Sequence, residues 1–173
     1  MKKRTARILL LIVGLILIGP HPFLFLQDFH RQETVGAVPM HFTDAFSVEW
    51  IHSVELTPWR ETYHVHWMNG MELAETSFRS FGAGVPTEFS GADFSVRNGW
   101  ITVSGLHEQR DSVLYLITRD DYKLTVGTQV WKLSDVLPLG TSLELSVKWF
   151  PWWYRYLYRL EKRDDRGKEV TSE

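Results

Sequence analysis

The chain has 173 residues, 44% of them hydrophobic and 23% charged, which leaves room for one globular domain and excludes both a disordered chain and a polytopic membrane protein. The formal charge of -2 is uneven, because Lys2, Lys3, Arg4 and Arg7 supply four of the 19 cations and leave 15 against 21 acidic residues, or -6; nucleic acid is not an expected partner of so acidic a body. Cysteine is absent, which excludes disulfides, thiolate metal sites and cysteine nucleophiles.

Residues 1–7 form a basic leader to the uncharged run Ile8 to Gly19, and apolar character resumes after Pro20-His21-Pro22 as Phe23-Leu24-Phe25-Leu26. Positions 8–26 approach the roughly 20 residues of a transmembrane helix. The positive-inside rule then keeps residues 1–7 cytoplasmic and places the rest outside the cell membrane, as a single-pass protein. A cleaved signal peptide is the competing reading, but Gly19-Pro20-His21-Pro22 is a poor cleavage site, which favours an uncleaved anchor. Residues 27–43 lack periodicity and read as a tether; an extracytoplasmic domain is expected over 44–160, and residues 161–173 as a charged, disordered tail.

From Asp44 to Trp149 short period-two runs alternate with turn signals, and no long amphipathic helix intervenes. The expected fold is mainly β, an antiparallel sandwich or barrel-like domain of about seven or eight strands preceded by the transmembrane helix. Phe46 to Val54 is apolar at even positions and Trp59 to Trp67 at odd ones. A loop centred on Leu56 and Thr57 then pairs Phe46 with Trp67, Val48 with Val65 and Trp50 with Tyr63, and puts His52 opposite Glu61 on the inward face. Asn69-Gly70 and Asn98-Gly99 mark type I′ hairpins, the second pairing Val96 with Ile101 and Phe94 with Val103. Val113 to Ile117, Tyr122 to Val126 and Leu143 to Trp149 supply further strands.

A carboxylate beside a partly buried imidazole stabilises its charged form and fixes its tautomer. His52 with Glu61 is therefore a candidate for ligand contact or acid-base chemistry, although a structural pair that satisfies itself is the favoured reading. His64 and His66 share an outward strand face with Glu49 across from His64, a weak two-histidine, one-carboxylate metal site. Phe81-Gly82-Ala83-Gly84-Val85-Pro86 is followed by neither a helix nor a Lys-Ser/Thr pair, so its glycines read as an irregular turn that exposes backbone, not as a phosphate loop. With Trp59 as an aromatic anchor and Arg60 as a rim donor, that loop makes a candidate binding surface. After Pro151, the run Trp152, Trp153, Tyr154, Arg155 and Tyr156 suits a membrane headgroup zone or a flat partner surface, or else a final strand that closes the core. No complete nucleophile, metal or cofactor constellation can be assembled, so no catalytic residue and no cofactor is assigned, and a binding module is favoured over an enzyme.

The stretch Trp50-Ile51-His52-Ser53-Val54-Glu55, continuing through Pro58-Trp59 and Glu61, with Ser80-Phe81-Gly82-Ala83-Gly84-Val85-Pro86 some twenty residues later, resembles a bacterial family, the domain of unknown function numbered eighteen-fifty. The resemblance covers roughly Phe46 to Trp149. It implies a genomic context and not a reaction: similar proteins are often encoded beside tripartite ATP-independent periplasmic (TRAP) transporters of the TAXI type, in which a substrate-binding protein feeds a fused permease. The motif positions it carries over are His52, Ser53, Glu55, Trp59, Glu61, Gly82, Gly84 and Pro86. The expected protein is thus a membrane-anchored accessory module whose partners are the permease or its substrate-binding protein, and membrane lipid. The alternative is a small extracytoplasmic enzyme or metal-binding protein that uses His52 with Glu61 and His64 with His66.

Overall fold

In a computed structural model of the chain, the described residues are 4–9, 14, 18–41, 44–66, 70–80 and 91–157, with only the backbone of Arg155. Among them the apolar and alternating segments form eleven strands: β1 (Pro20–Asp28), β2 (Glu33–Pro39), β3 (Ala45–Ile51), β4 (Pro58–His66), β5 (Gly70–Phe78), β6 (Asp93–Arg97), β7 (Trp100–Arg110), β8 (Ser112–Ile117), β9 (Lys123–Val126), β10 (Gln129–Lys132) and β11 (Thr141–Pro151). Short 3-10 helices, Leu133–Asp135 and Trp152–Tyr156, follow β10 and β11. All pairings are antiparallel; one sheet runs β2-β1-β11-β8 and the other β10-β9-β3-β4-β5-β7-β6. The mainly-β architecture agrees with the alternation in the sequence, and the surplus over seven or eight strands comes from β1, β2 and β10.

The sheets pack face to face. Leu24, Leu26, Val38, Tyr115, Ile117, Leu143 and Leu145 of the smaller sheet bury against Phe46, Val48, Tyr63, Val65, Met71, Leu124 and Val126 of the larger one. Each set follows the period of two that turns alternate side chains to one face.

β1 moves the expected boundary of the membrane segment. It lies between β2 and β11, with Leu24 opposite both Val38 and Val147. Leu24 and Leu26 enter the main core, while Phe23 and Phe25 are buried on the other face of the sheet under Phe150 and Tyr154. A strand covered on both faces carries the same unbroken apolar run as a membrane helix, which is why 20–26 reads as a continuation of 8–19. Residues 4–9 and positions 14 and 18 are helical, and among the described residues no helix is long and apolar enough to cross a membrane. The expected tether, 27–43, likewise holds β2, with Ala37, Val38 and Met40 buried, so strand structure starts at Pro20 and not near Asp44.

Asn98 and Gly99 take left-handed backbone (φ 51° and 75°), as a type I′ turn requires, and set the expected pairs Val96 with Ile101 and Phe94 with Val103. Residues 67–69 of the other expected hairpin lie outside the described residues, as does the tail 161–173. The aromatic run after β11 is not a strand. Tyr154 stacks on Phe150 with 4.1 Å between ring centres and caps Phe23 and Phe25, leaving Trp153 and Tyr156 exposed.

Candidate functional site

β3 and β4 keep the inward parity read from the sequence, but each β3 residue meets β4 four positions earlier than expected: Phe46 faces Tyr63, Val48 faces Glu61 and Trp50 faces Trp59. Pro58, which lacks an N–H, opens β4 directly. The loop is closed by the His52 N–H on Thr57 O and the Leu56 N–H on His52 O, each 2.9 Å, with Leu56 at a left-handed φ of 52°. The expected His52–Glu61 pair is therefore not formed. The imidazole of His52 stacks on Trp59 at 5.5 Å, and its Nδ1 accepts the Glu55 N–H at 3.3 Å.

Glu61 finds its partners elsewhere. Tyr63 Oη donates to Glu61 Oε2 at 2.7 Å, Tyr115 Oη from β8 in the opposite sheet donates to the same oxygen, and the two hydroxyls lie 2.9 Å apart. Burial pushes both tyrosines well above the ordinary tyrosine range, and the adjacent Glu61 carboxylate pushes the same way, so both stay protonated donors. Two hydroxyl protons serve three oxygen–oxygen contacts, which leaves the trio rich in acceptors and short of donors.

A cleft of about 550 Å³ opens against this trio. The larger sheet and its loops line it with Trp50, Glu61, Tyr63, Arg110 and Tyr122, while the smaller sheet contributes residues 112–116 of β8 in unbroken succession. Trp50 is held between Tyr122 and Trp59, at 6.0 Å and 6.1 Å between ring centres, and Trp59 stacks in turn on Phe78 at 5.0 Å. This aromatic row fixes one rim of the cleft.

The histidines of β4 meet a carboxylate that the sequence register did not indicate. Glu49 stands opposite Arg60 and Lys123 and pairs with both. Glu72 of β5 instead faces His64. Its Oε2 lies 3.1 Å from His66 Nε2, out of line for a hydrogen bond; Gln109 Nε2 donates to that oxygen at 2.9 Å, and His107 Nδ1 lies 2.8 Å from Oε1. His107 reaches it from a bulge in β7, where Gly105 and His107 take left-handed φ of 72° and 50°. Among the described residues no group of three or more His, Asp or Glu is placed to hold a metal ion.

Burial of Glu72 opposes its charge, but the His107 hydrogen bond and the charges of His66, His107 and His64 outweigh it and hold the carboxyl below its ordinary value of 4.5. A depressed folded-state value stabilises the fold above the unfolded value, and that contribution disappears as pH falls through the folded one. Thermal unfolding of Glu72→Gln is therefore expected to show a shallower loss of stability below about pH 4.5 than the unaltered protein. Parallel acid limbs would contradict this.

Residues 46–133 match the family model described as "Domain of unknown function (DUF1850)", which is more than half of the chain. The chain belongs to this family. No curated protein matches it, and no solved structure does. The DUF1850 match runs from the first core residue of β3 to the 3-10 helix after β10, so it contains β8 and the whole Tyr63–Glu61–Tyr115 trio but not β1, β2 or β11.

The structure places the DUF1850 motif positions unevenly about the cleft. Glu61 lines it, and Trp59 supports its rim; His52 packs on that tryptophan. Ser53 is exposed in the loop. Glu55 Oε2 accepts from Ser80 Oγ at 3.2 Å, which joins the two motif segments. Gly82, Gly84 and Pro86, with Phe81, lie outside the described residues. Arg60 does not line the cleft: it points to the opposite face from Glu61, pairs with Glu49, and lies 5.2 Å from the Trp100 ring centre, while the loop it was expected to flank lies outside the described residues. Tyr63, Tyr115, Arg110 and Tyr122 were not among the expected site residues. Tyr115 did carry a signal, as the one hydroxyl in the apolar run Val113 to Ile117, because a buried tyrosine needs a partner for its O–H.

Proposed function

We propose that this chain is an extracytoplasmic, membrane-tethered binding module that acts by contact as an accessory of a TAXI-type TRAP transporter, docking on the permease or its substrate-binding protein. The observation that carries the binding half of this reading is the Glu61 carboxylate, held by two tyrosine hydroxyls at an open cleft. Burial keeps both hydroxyls un-ionised near neutrality, so the trio fits recognition better than proton transfer. The transporter half rests on the context that the family resemblance implies.

The membrane half is supported by the uncharged run Ile8 to Gly19, which follows the basic leader and leads straight into β1. Twelve residues reach about 18 Å if helical, short of the roughly 30 Å hydrocarbon core. It would therefore rely on local thinning and on snorkelling of the flanking lysines and arginines. Pro20 pairs with Pro151, and His21 packs edge-on against Trp152 at 5.3 Å. That contact sets Trp152 beside the start of β1, with the exposed Trp153 next to it in the chain, and amphipathic rings suit headgroup depth.

Affinity purification of the full chain from membranes in mild detergent tests the proposal. Transporter subunits are expected to co-purify, and the intact mass of the chain should retain residues before Pro20. A chain that begins at Pro20, or preparations free of transporter subunits, would contradict the tethering and the docking respectively.

A further inference from the structure

We propose that the outer edge of β8 receives an extended segment of a partner protein as an added strand, and that a lysine or arginine of this segment reaches the Glu61 carboxylate. The inference rests on the binding-module reading and specifies its contact.

β8 is the outer strand of the smaller sheet and, among the described residues, pairs only with β11. An edge strand presents alternate N–H and C=O groups without partners, and stable proteins usually blunt such edges with charge, proline or a bulge. β8 has none of these. Its sequence is Ser-Val-Leu-Tyr-Leu-Ile, its register with β11 is unbroken, and Leu114 and Leu116 are 55% and 53% exposed on the outward face. Five successive residues of this strand form one wall of the cleft, so the backbone edge and the Glu61 trio belong to one site.

Strand pleating settles where side chains of an added strand would go. Residues laid beside Leu114 and Leu116 face outward and extend an apolar strip. Those laid beside Val113 and Tyr115 face inward, over Glu61 and Tyr63. The trio there has acceptors to spare, which an ammonium or guanidinium supplies with three or five N–H donors. Arg110, the cation of the same cleft, is already paired with Glu108, whereas no salt bridge to Glu61 forms among the described residues. A second copy of this chain fits poorly as the occupant, because the inward residues of β8 are Val113, Tyr115 and Ile117 and bring no cation to Glu61.

The test uses the full-length protein in detergent and a capped heptapeptide of alternating leucine and serine with lysine in place of the central serine. It is expected to bind, and to slow amide exchange over residues 112–117. Norleucine in place of lysine should weaken binding about tenfold, and N-methylation of the amides on its β8-facing edge by at least as much. Glu61→Gln, which keeps an acceptor for the tyrosines, should erase the preference for lysine over norleucine while circular dichroism stays unchanged. Undiminished binding by the N-methylated peptide would overturn strand addition. Equal affinity for free lysine amide would replace it with a small-amine site, and concentration-dependent dimerisation lost in Leu114→Arg would replace it with a second copy. If no peptide binds while transporter subunits still co-purify, this inference fails alone. If co-purification is lost as well, the binding-module reading fails with it.

Discussion

Replacing Leu24 by alanine is expected to destabilise the domain by about 2 to 5 kcal/mol, the range for deleting a fully buried leucine side chain from a core that cannot collapse around the space. Leu24 is completely buried, stands between Val38 and Val147 on the neighbouring strands, and belongs to the cluster that joins both sheets. Urea unfolding should show a lower midpoint with an unchanged slope, since the surface exposed on unfolding stays the same. The substitution distinguishes two meanings of one apolar run. A leucine in a membrane anchor can be shortened without disturbing a domain outside the bilayer, whereas a leucine of β1 cannot. Stability equal to the unaltered protein would place residues 20–26 back in the anchor.

Glu61→Ala is expected to cost about 1 to 3 kcal/mol, because it takes the shared acceptor from two tyrosine hydroxyls and leaves buried polar groups to be satisfied by each other alone. Tyr63 and Tyr115 are 3% and 8% exposed, so water reaches neither freely. His52→Ala should cost much less, since its imidazole accepts one N–H within its own loop and otherwise stacks on Trp59. Thermal or chemical unfolding of the two variants side by side checks this. Equal losses at both positions would restore the direct His52–Glu61 partnership, and no loss at Glu61 would remove the trio.

What could be read from the residues was local. The hairpin at Asn98-Gly99 follows from turn chemistry, and the inward faces of β3 and β4 follow from alternation, because a slip of two or four positions preserves parity. The same preservation hid the true partners: parity kept Glu61 and His52 inward but could not say which residues meet, and the loop His52–Thr57 set the register. Phe23 to Leu26 carried no periodicity to separate a doubly covered strand from a membrane helix. Tyr115 lies 54 residues beyond Glu61 and in the other sheet, so its role depends on how the sheets stack, which no local pattern encodes. Glu72 and His107 likewise meet through a bulge whose trace in the sequence was a lone glycine, Gly105, inside a strand.

Contact through the β8 edge, and not turnover, is the central claim, and a photo-cross-linking amino acid in place of Leu114 in intact cells tests it most directly. Leu114 is exposed on β8, the outer strand of the smaller sheet among the described residues, and Val130 on β10, at the edge of the larger sheet, is a comparably exposed reference position. Illumination is expected to join position 114 to a subunit of the transport system, with far less product from position 130 and less again when Glu61→Gln accompanies the cross-linker. Adducts to that subunit from position 130 and none from position 114 would contradict the account.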